Sequence, residues 1–151
     1  MNRVLLALAT AAGLFASLPA AAQFQKPEDA VKYRQSAMFV MANHFGRIGA
    51  MVNNRAPFDA AAANANADIA LALSRVAFAG FVDGTASTAK GGSSAKIWSE
   101  RAKFDEAAKK TQDELAKLQT AARTNDLGNI RAAFGAVGQT CKGCHDDYRN
   151  Q

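Results

Sequence analysis

The chain has 151 residues, of which 49% are hydrophobic and 21% are charged, and its formal net charge is +5 at pH 7. This length is enough for one hydrophobic core and too short for two domains of ordinary size. The basic residues are interleaved with acidic ones instead of clustering with aromatic side chains, which indicates a solvated surface and argues against binding to DNA or RNA.

Residues 1–22 have the layout of a secretory signal peptide. Arg3 precedes an apolar run over 4–18, and small residues follow it up to Ala22. The run is short for a membrane span, so we predict cleavage after Ala22, with an uncleaved membrane anchor as the alternative. The mature chain would then be one domain over 23–151. We expect it to be exported to a bacterial periplasm, with no membrane contact after cleavage.

Two helices are predicted in the first half of this domain. The first begins at Pro27 and ends near Asn53, because core-type positions recur at steps of three and four. Asp59 is a candidate N-cap for an alanine-rich second helix that runs towards Ala79. The stripe of the first helix is Val31, Arg34, Met38, Met41, Phe45, Ile48 and Val52, and that of the second is Ala62, Ala65, Ile69, Ala72 and Val76.

Two further helices follow one long surface connection over 80–94, which is rich in Gly, Ser and Thr. The third helix is predicted from around 94–99 to about Arg123, and the fourth begins after Asp126. Their stripes are Ile97, Arg101, Phe104, Ala108, Leu115 and Leu118, then Leu127, Ile130, Phe134, Val137, Cys141, Cys144 and Tyr148. Four helices with mostly short connections predict an all-α fold, an antiparallel up-down-up-down four-helix bundle.

The fourth helix ends in the pattern C-x-x-C-H, formed by Cys141, Cys144 and His145. Two thiols at this spacing can each bond one vinyl group of a porphyrin, and the adjacent histidine then reaches the iron from the same side. These are the only two cysteines of the chain. We therefore predict one covalent haem c, bound through both cysteines with His145 as iron ligand, inserted into the bundle near the C-terminus.

Two other interpretations of the cysteines compete with haem attachment. A redox-active dithiol without haem is one, although that motif usually opens a helix after a strand and no strand pattern is present. A zinc site would require both cysteines, His145 and the distant His44, without paired spacing. His44 lies well around the first helix from its stripe and is predicted to be a surface or interface histidine. No convergent pair of catalytic groups is evident, so we do not predict an enzyme.

Two arginines are candidates for contact with the cofactor. Arg34 occupies the stripe of the first helix, where a charge needs a partner or a route to water. A haem propionate would be such a partner, and the alternative is that the guanidinium extends into solvent. Arg149 follows His145 by four residues and can lie beside its imidazole, although arginines near helix C-termini also occur for dipole reasons.

Two segments of the chain resemble cytochrome c′. They are KPEDAVKYRQSAMFVMANHFGR over 26–47 and RAAFGAVGQTCKGCHDDYR over 131–149. The resemblance extends over nearly the whole mature chain and includes the stretch over 78–84 and the pair Ile97 and Trp98.

This resemblance implies a five-coordinate, high-spin haem with His145 as the only protein ligand and an apolar side chain over the vacant face. By position, that side chain is Met38. A pocket without hydrogen-bonding groups would exclude water and charged ligands and admit nitric oxide and carbon monoxide. The other implied contacts are Phe78 and Phe81 on the distal side, Arg34 near a propionate and Arg149 on the proximal side.

The resemblance also leaves an alternative and implies an assembly. If Met38 or Met41 coordinates the iron, the protein is a six-coordinate, low-spin cytochrome closer to the cytochromes c-556, suited to electron transfer with a redox partner that the sequence does not identify. Family members commonly pair through the outer faces of their first two helices, which implies a homodimer. The small residues that permit close approach are Ala37, Ala42, Ala50, Ala60 and Ala61.

Overall fold

The computed structural model describes residues 24–151, so the predicted signal peptide, the cleavage site and the first residue of the predicted mature chain lie outside the described residues. Over 24–151 the only β-type pairing is an isolated bridge between Ser93 and Arg149. The helices are α1 (Pro27–Val52), α2 (Ala60–Ala79), α3 (Lys96–Ser99), α4 (Arg101–Arg123) and α5 (Leu127–Tyr148).

The four long helices form a four-helix bundle. α1 packs on α2, α2 on α4, α4 on α5, and α5 returns to α1. Within the described chain, the diagonal pairs α1–α4 and α2–α5 do not approach each other closely. This closed ring of neighbours, with the core side chains inside it, confirms the predicted all-α bundle.

The helix boundaries follow from local capping. The carboxylate of Asp59 accepts a hydrogen bond from the amide of Ala62 at 2.9 Å, and the carboxylate of Asp126 accepts one from the amide of Asn129 at 2.7 Å. Each satisfies an amide that has no partner within its own helix. The predicted starts of α2 and α5 are therefore confirmed.

The predicted stripe of α2 is wrong by about one position. Ile69, placed in the stripe, is 39% exposed, whereas Asn66 and Ser74 face the core. Both polar side chains donate to carbonyls of their own helix, which removes the cost of burying them. Alanine occupies most positions of α2 and gives little contrast between its faces, so periodicity alone could not select the buried one. The buried residues are Ala63, Asn66, Ala67, Ala70, Leu71, Ser74 and Ala77.

The predicted third helix is divided at Glu100, whose φ of −121° and ψ of 38° are not helical. The short α3 precedes the break, and α4 follows it. Arg101, predicted on the buried stripe, lies on the surface, where its guanidinium donates to Asp105 at 2.9 Å.

The core consists of two clusters, and α5 contributes to both. The larger cluster fills the bundle between α1, α2, α4 and α5. The smaller one comprises Ile97, Phe104 and Tyr148, with Phe78, Phe81, Trp98, Ala107 and Cys144 packed against it. It lies where the end of α2, the start of α4 and the end of α5 meet.

Candidate haem-attachment site

The last turns of α5 place both cysteines towards the core. Ile130 and Val137 are fully buried, and Cys141 and Cys144 continue the same face as half-buried residues. Cys141 packs against the larger cluster, whereas Cys144 packs against the smaller one. The two thiols therefore lie where the clusters adjoin.

The environment of the thiols keeps them protonated. Burial raises the pKa of Cys144 to about 11, and the proximity of Cys141 and Asp147 contributes in the same direction. Burial also raises the pKa of Cys141. Both cysteines are free in the structure. Since redox-active cysteines are activated by a lowered pKa, this arrangement does not suit thiol–disulfide exchange.

His145 lies beside Cys144 on the more exposed side of α5. Partial burial of its ring and the positive charge of Arg149 lower the pKa of His145, and Asp146 opposes this effect. The neutral imidazole is the form that binds a metal. The amide of Arg149 donates to the carbonyl of His145 at 3.2 Å, which closes the last turn of the helix.

Arg34 is buried, with 3% of its surface exposed, so the alternative that its guanidinium extends into solvent is wrong. Nη1 donates to the carbonyl of Gly80 at 3.0 Å and to the hydroxyl of Thr85 at 2.6 Å, and Nη2 donates to the carbonyl of Thr85 at 2.6 Å. The guanidinium carbon also lies 4.8 Å from the ring centroid of Phe81. Arg34 thus joins α1 to the segment over 80–85.

The aromatic side chains predicted for the distal side belong to one cluster. Phe78 and Phe81 have ring centroids 6.0 Å apart, and each also contacts Phe104, at 5.9 Å and 4.9 Å. Phe104 in turn meets Tyr148 edge to face at 5.3 Å. This chain of rings connects the end of α2 with the end of α5, next to Cys144.

Met38 and His44 occupy different environments on α1. Met38 is half-buried and packs against the larger cluster, as does Cys141. His44 is also half-buried, and its Nδ1 lies 2.8 Å from Oδ1 of Asn66. His44 therefore contacts α2 within the protomer. In the part of the chain that the structure describes, no three His, Cys, Asp or Glu side chains form a metal-binding group.

The residue after α5, Arg149, is attached to the long connection. Its Nε donates to the carbonyl of Gly91 at 3.1 Å. Next to it, Nδ2 of Asn150 donates to the carbonyls of Ser87 and Ala89 at 2.5 Å and 3.2 Å, and its backbone exchanges hydrogen bonds with Gly91 and Gly92. These contacts attach the end of the chain to the connection between α2 and α3.

Three polar groups of this region could not be predicted from the sequence: the hydroxyl of Thr85, the indole donor of Trp98 and the side chain of Asn150. Each is a single polar group in or beside a segment without periodicity, so no repeating pattern marks it. The indole of Trp98 donates to the carbonyl of Val82 at 3.1 Å. The sequence offered only a general signal for these groups: a buried arginine such as Arg34 requires hydrogen-bond acceptors, and a neighbouring loop can supply them.

The residues present fit a covalently attached haem. The two free thiols face the core, and the neutral imidazole that follows them is available as an iron ligand. A groove of about 310 Å³ between α4 and α5 opens beside Cys144, and its lining includes the apolar Ala107 and the charged Lys110 and Glu114. Apolar rings also pack in the cluster that includes Cys144, and Arg34 is a buried cation suited to a carboxylate.

Comparison with known proteins agrees with this fit. The sequence model of the cytochrome c′ family matches residues 29–149. A cytochrome c′ of Alcaligenes xylosoxydans xylosoxydans is 48% identical over 129 residues, which cover 85% of this chain and 99% of that protein. The crystal structure of cytochrome c′ from Rubrivivax gelatinosus superposes with a TM-score of 0.80 at 43% identity, covering 85% of this chain and all of that one.

A second solved structure is a nitric oxide complex. It contains a variant of cytochrome c prime from Alcaligenes xylosoxidans, with a TM-score of 0.80 and 46% identity, and the match covers 85% of this chain and 99% of that one. The family match, the sequence identities and the shared fold all lead to one conclusion. This chain belongs to the cytochrome c′ family.

Proposed function

We propose that this chain is a periplasmic haem c protein whose iron has His145 as its only protein ligand and binds nitric oxide and carbon monoxide on the other side. It would also transfer electrons, and it would not be an enzyme. The observation that carries the proposal is the placement of Cys141 and Cys144 on the core face of α5, followed by a histidine whose lowered pKa favours the ligating form.

Three side chains of α5 would bond directly to the cofactor. Cys141 and Cys144 would form the two thioether bonds, and His145 would bind the iron. When bound, haem c supplies an iron that takes one diatomic ligand and exchanges one electron. Arg34 would approach a propionate, and Arg149 would lie on the proximal side, where its contact with Gly91 restrains it.

The distal side chains would select the ligand by exclusion. Met38, Phe78 and Phe81 carry no hydrogen-bond donor that could stabilise water or a charged ligand over the iron. The thioether chain of Met38 is flexible, so it can move aside for a small neutral gas at a steric cost. The nitric oxide complex of the relative from Alcaligenes xylosoxidans supports this ligand class.

Absorption spectra of periplasmically expressed protein, in the ferric and ferrous states and after addition of carbon monoxide, test the proposal. We expect a high-spin ferrous spectrum that shifts promptly with the gas. A low-spin spectrum indifferent to the gas would mean that Met38 or Met41 is a sixth ligand, and the function would be electron transfer. A colourless product from a host competent in haem attachment would favour a dithiol protein, which the raised pKa of Cys144 already disfavours.

Localisation and assembly form a second part of the proposal. None of the helices over 24–151 is long and apolar enough to cross a membrane. The expected mature protein begins at Gln23, which mass spectrometry of the periplasmic fraction would establish, and an intact N-terminus in the membrane fraction would contradict it.

A homodimer is proposed through the outer faces of α1 and α2. Phe39 on α1 is 71% exposed, and Val40 and Ile69 are also exposed apolar side chains. Of the small residues considered earlier, Ala42 and Ala61 are exposed, whereas Ala37 is buried within the protomer. Light scattering of the wild type and of Phe39→Glu tests this, since the charged variant should be monomeric. A monomeric wild type would contradict the proposal.

A further inference from the structure

The segment over 80–85 has no regular secondary structure, yet side-chain donors occupy the carbonyl groups of four of its residues. Backbone groups near a core need such partners, and here they are supplied by side chains from α1, α3 and α4. The pairs are Arg34 to Gly80 at 3.0 Å and to Thr85 at 2.6 Å, Arg101 to Phe81 at 2.8 Å, and Trp98 to Val82 at 3.1 Å.

Arg34 differs from the other two donors because it holds the segment at both ends. Its acceptors, Gly80 and Thr85, bracket Phe81 in the chain, and its guanidinium lies 4.8 Å from the centroid of the Phe81 ring. The planar fork of an arginine can satisfy acceptors in two directions while stacking on a ring, which a lysine cannot do. The position of Phe81 is therefore tied directly to Arg34.

Arg34 also lies one helical turn before Met38 on α1. One residue thus connects the helix that carries Met38 with the segment that carries Phe81. Both terminal nitrogens of Arg34 already have protein acceptors. These bonds use three of the five N–H donors of the guanidinium, so they are compatible with a propionate contact through the remaining donors, but such a contact does not account for them.

We propose that Arg34 is a positioning residue that sets how far Phe81 can move from Met38, through its hydrogen bonds to Thr85 and Gly80. The proposal rests on the gas-binding function proposed above. Loosening the contact allows the distal side chains to separate more easily, which lowers the steric cost of ligand entry. The consequence is faster entry of a diatomic gas, without a change in the charge near the haem.

Three variants of the holoprotein separate positioning from charge. Arg34→Lys keeps the positive charge and removes the planar fork. Thr85→Val removes the hydroxyl, which accepts from Nη1 of Arg34 and donates to the carbonyl of Val82 at 2.7 Å, and it keeps the side-chain shape and the charge of Arg34. Thr85→Ser keeps the hydroxyl and is the matched control.

Two measurements report on the variants. The first is the association rate of carbon monoxide with the ferrous protein, which we expect to rise by about threefold to tenfold in Arg34→Lys and Thr85→Val and to stay at the wild-type value in Thr85→Ser. The second is the fluorescence of Trp98, the only tryptophan of the chain, whose indole is bonded to the same segment. It should change in the first two variants and not in the third.

The reduction potential distinguishes the positioning role of Arg34 from an effect of its charge alone on a propionate. If Arg34 acts only through its charge on a propionate, Arg34→Gln should shift the reduction potential. Arg34→Lys and Thr85→Val should then bind carbon monoxide at the wild-type rate, and that result would show that the positioning proposal is wrong. If Arg34→Lys does not fold, the comparison of the two Thr85 variants decides.

If the wild type binds no carbon monoxide, the proposed function fails by itself. The Trp98 fluorescence of ferric Arg34→Lys, which keeps the bond from Thr85 to Val82, then supports positioning if it changes and overturns it if it does not.

Discussion

Gly80 lies so close to Arg34 that a Cβ atom on the glycine would stand 2.8 Å from the Cβ of Arg34 and 3.1 Å from the carbonyl oxygen of Ala30. The end of α2 therefore meets the first turns of α1 with no room for a side chain. This backbone contact brings the segment over 80–85 within reach of the guanidinium.

Replacing Gly80 by alanine should destabilise the protein. The added methyl group must displace the backbone of α1, so we expect a loss of about 1–3 kcal/mol in the free energy of unfolding. Urea unfolding of the holoprotein measures it. Gly46→Ala is the matched control, because a Cβ at Gly46 meets nothing within 4 Å, and it should stabilise α1 by about 0.5–1 kcal/mol. Equal stability of Gly80→Ala and wild type would contradict the close packing.

Shortening Met38 should accelerate gas binding. Met38→Ala removes the side chain expected over the iron, and the association rate of carbon monoxide should rise by about tenfold or more. Met51→Ala is the control, since Met51 is a buried core residue of the same helix. It should lose about 2–5 kcal/mol of stability through a cavity and leave the association rate unchanged. An unchanged rate in Met38→Ala would remove Met38 from the distal side.

Asn150 should stabilise the end of α5. Asn150→Ala loses two side-chain hydrogen bonds to the connection over 87–92, so unfolding should become easier by about 1–2 kcal/mol. Hydrogen exchange of the amides of Gly91 and Gly92 should become faster at the same time. Gln151→Ala serves as the control, because Gln151 is exposed and makes only a 3.5 Å contact within the tail. Identical exchange in both variants would argue against this role.

Asp126, the N-cap of α5, should be replaceable without loss of stability only by another side chain that accepts a hydrogen bond. Asp126→Ala removes the acceptor for the amide of Asn129 and should cost about 1 kcal/mol of stability, whereas Asp126→Asn should stay close to wild type. Thermal unfolding of the two variants measures the difference. If both variants lose the same stability, the charge of Asp126, and not its hydrogen bond, supports the helix.

The sequence alone determined the number of long helices, most of their boundaries and the residues of the attachment motif, but not the break at Glu100 that separates α3 from α4. α5 shows why, because large apolar side chains such as Ile130 and Phe134 alternate with small or polar ones, and that contrast marks one face. The caps Asp59 and Asp126 act within three residues, so a local pattern is sufficient to locate them. Local interactions are the part of a fold that a sequence displays directly.

The tertiary structure alone decided which helix faces are buried and which distant residues are in contact. The buried face of the alanine-rich α2 could not be selected from its pattern, since its side chains are nearly alike, and packing against α1 and α4 selected it. The partner of Arg34 was equally inaccessible. Its acceptors at Thr85 lie 51 residues away in a segment without periodicity, and only the folded chain brings a buried charge and distant carbonyl groups together.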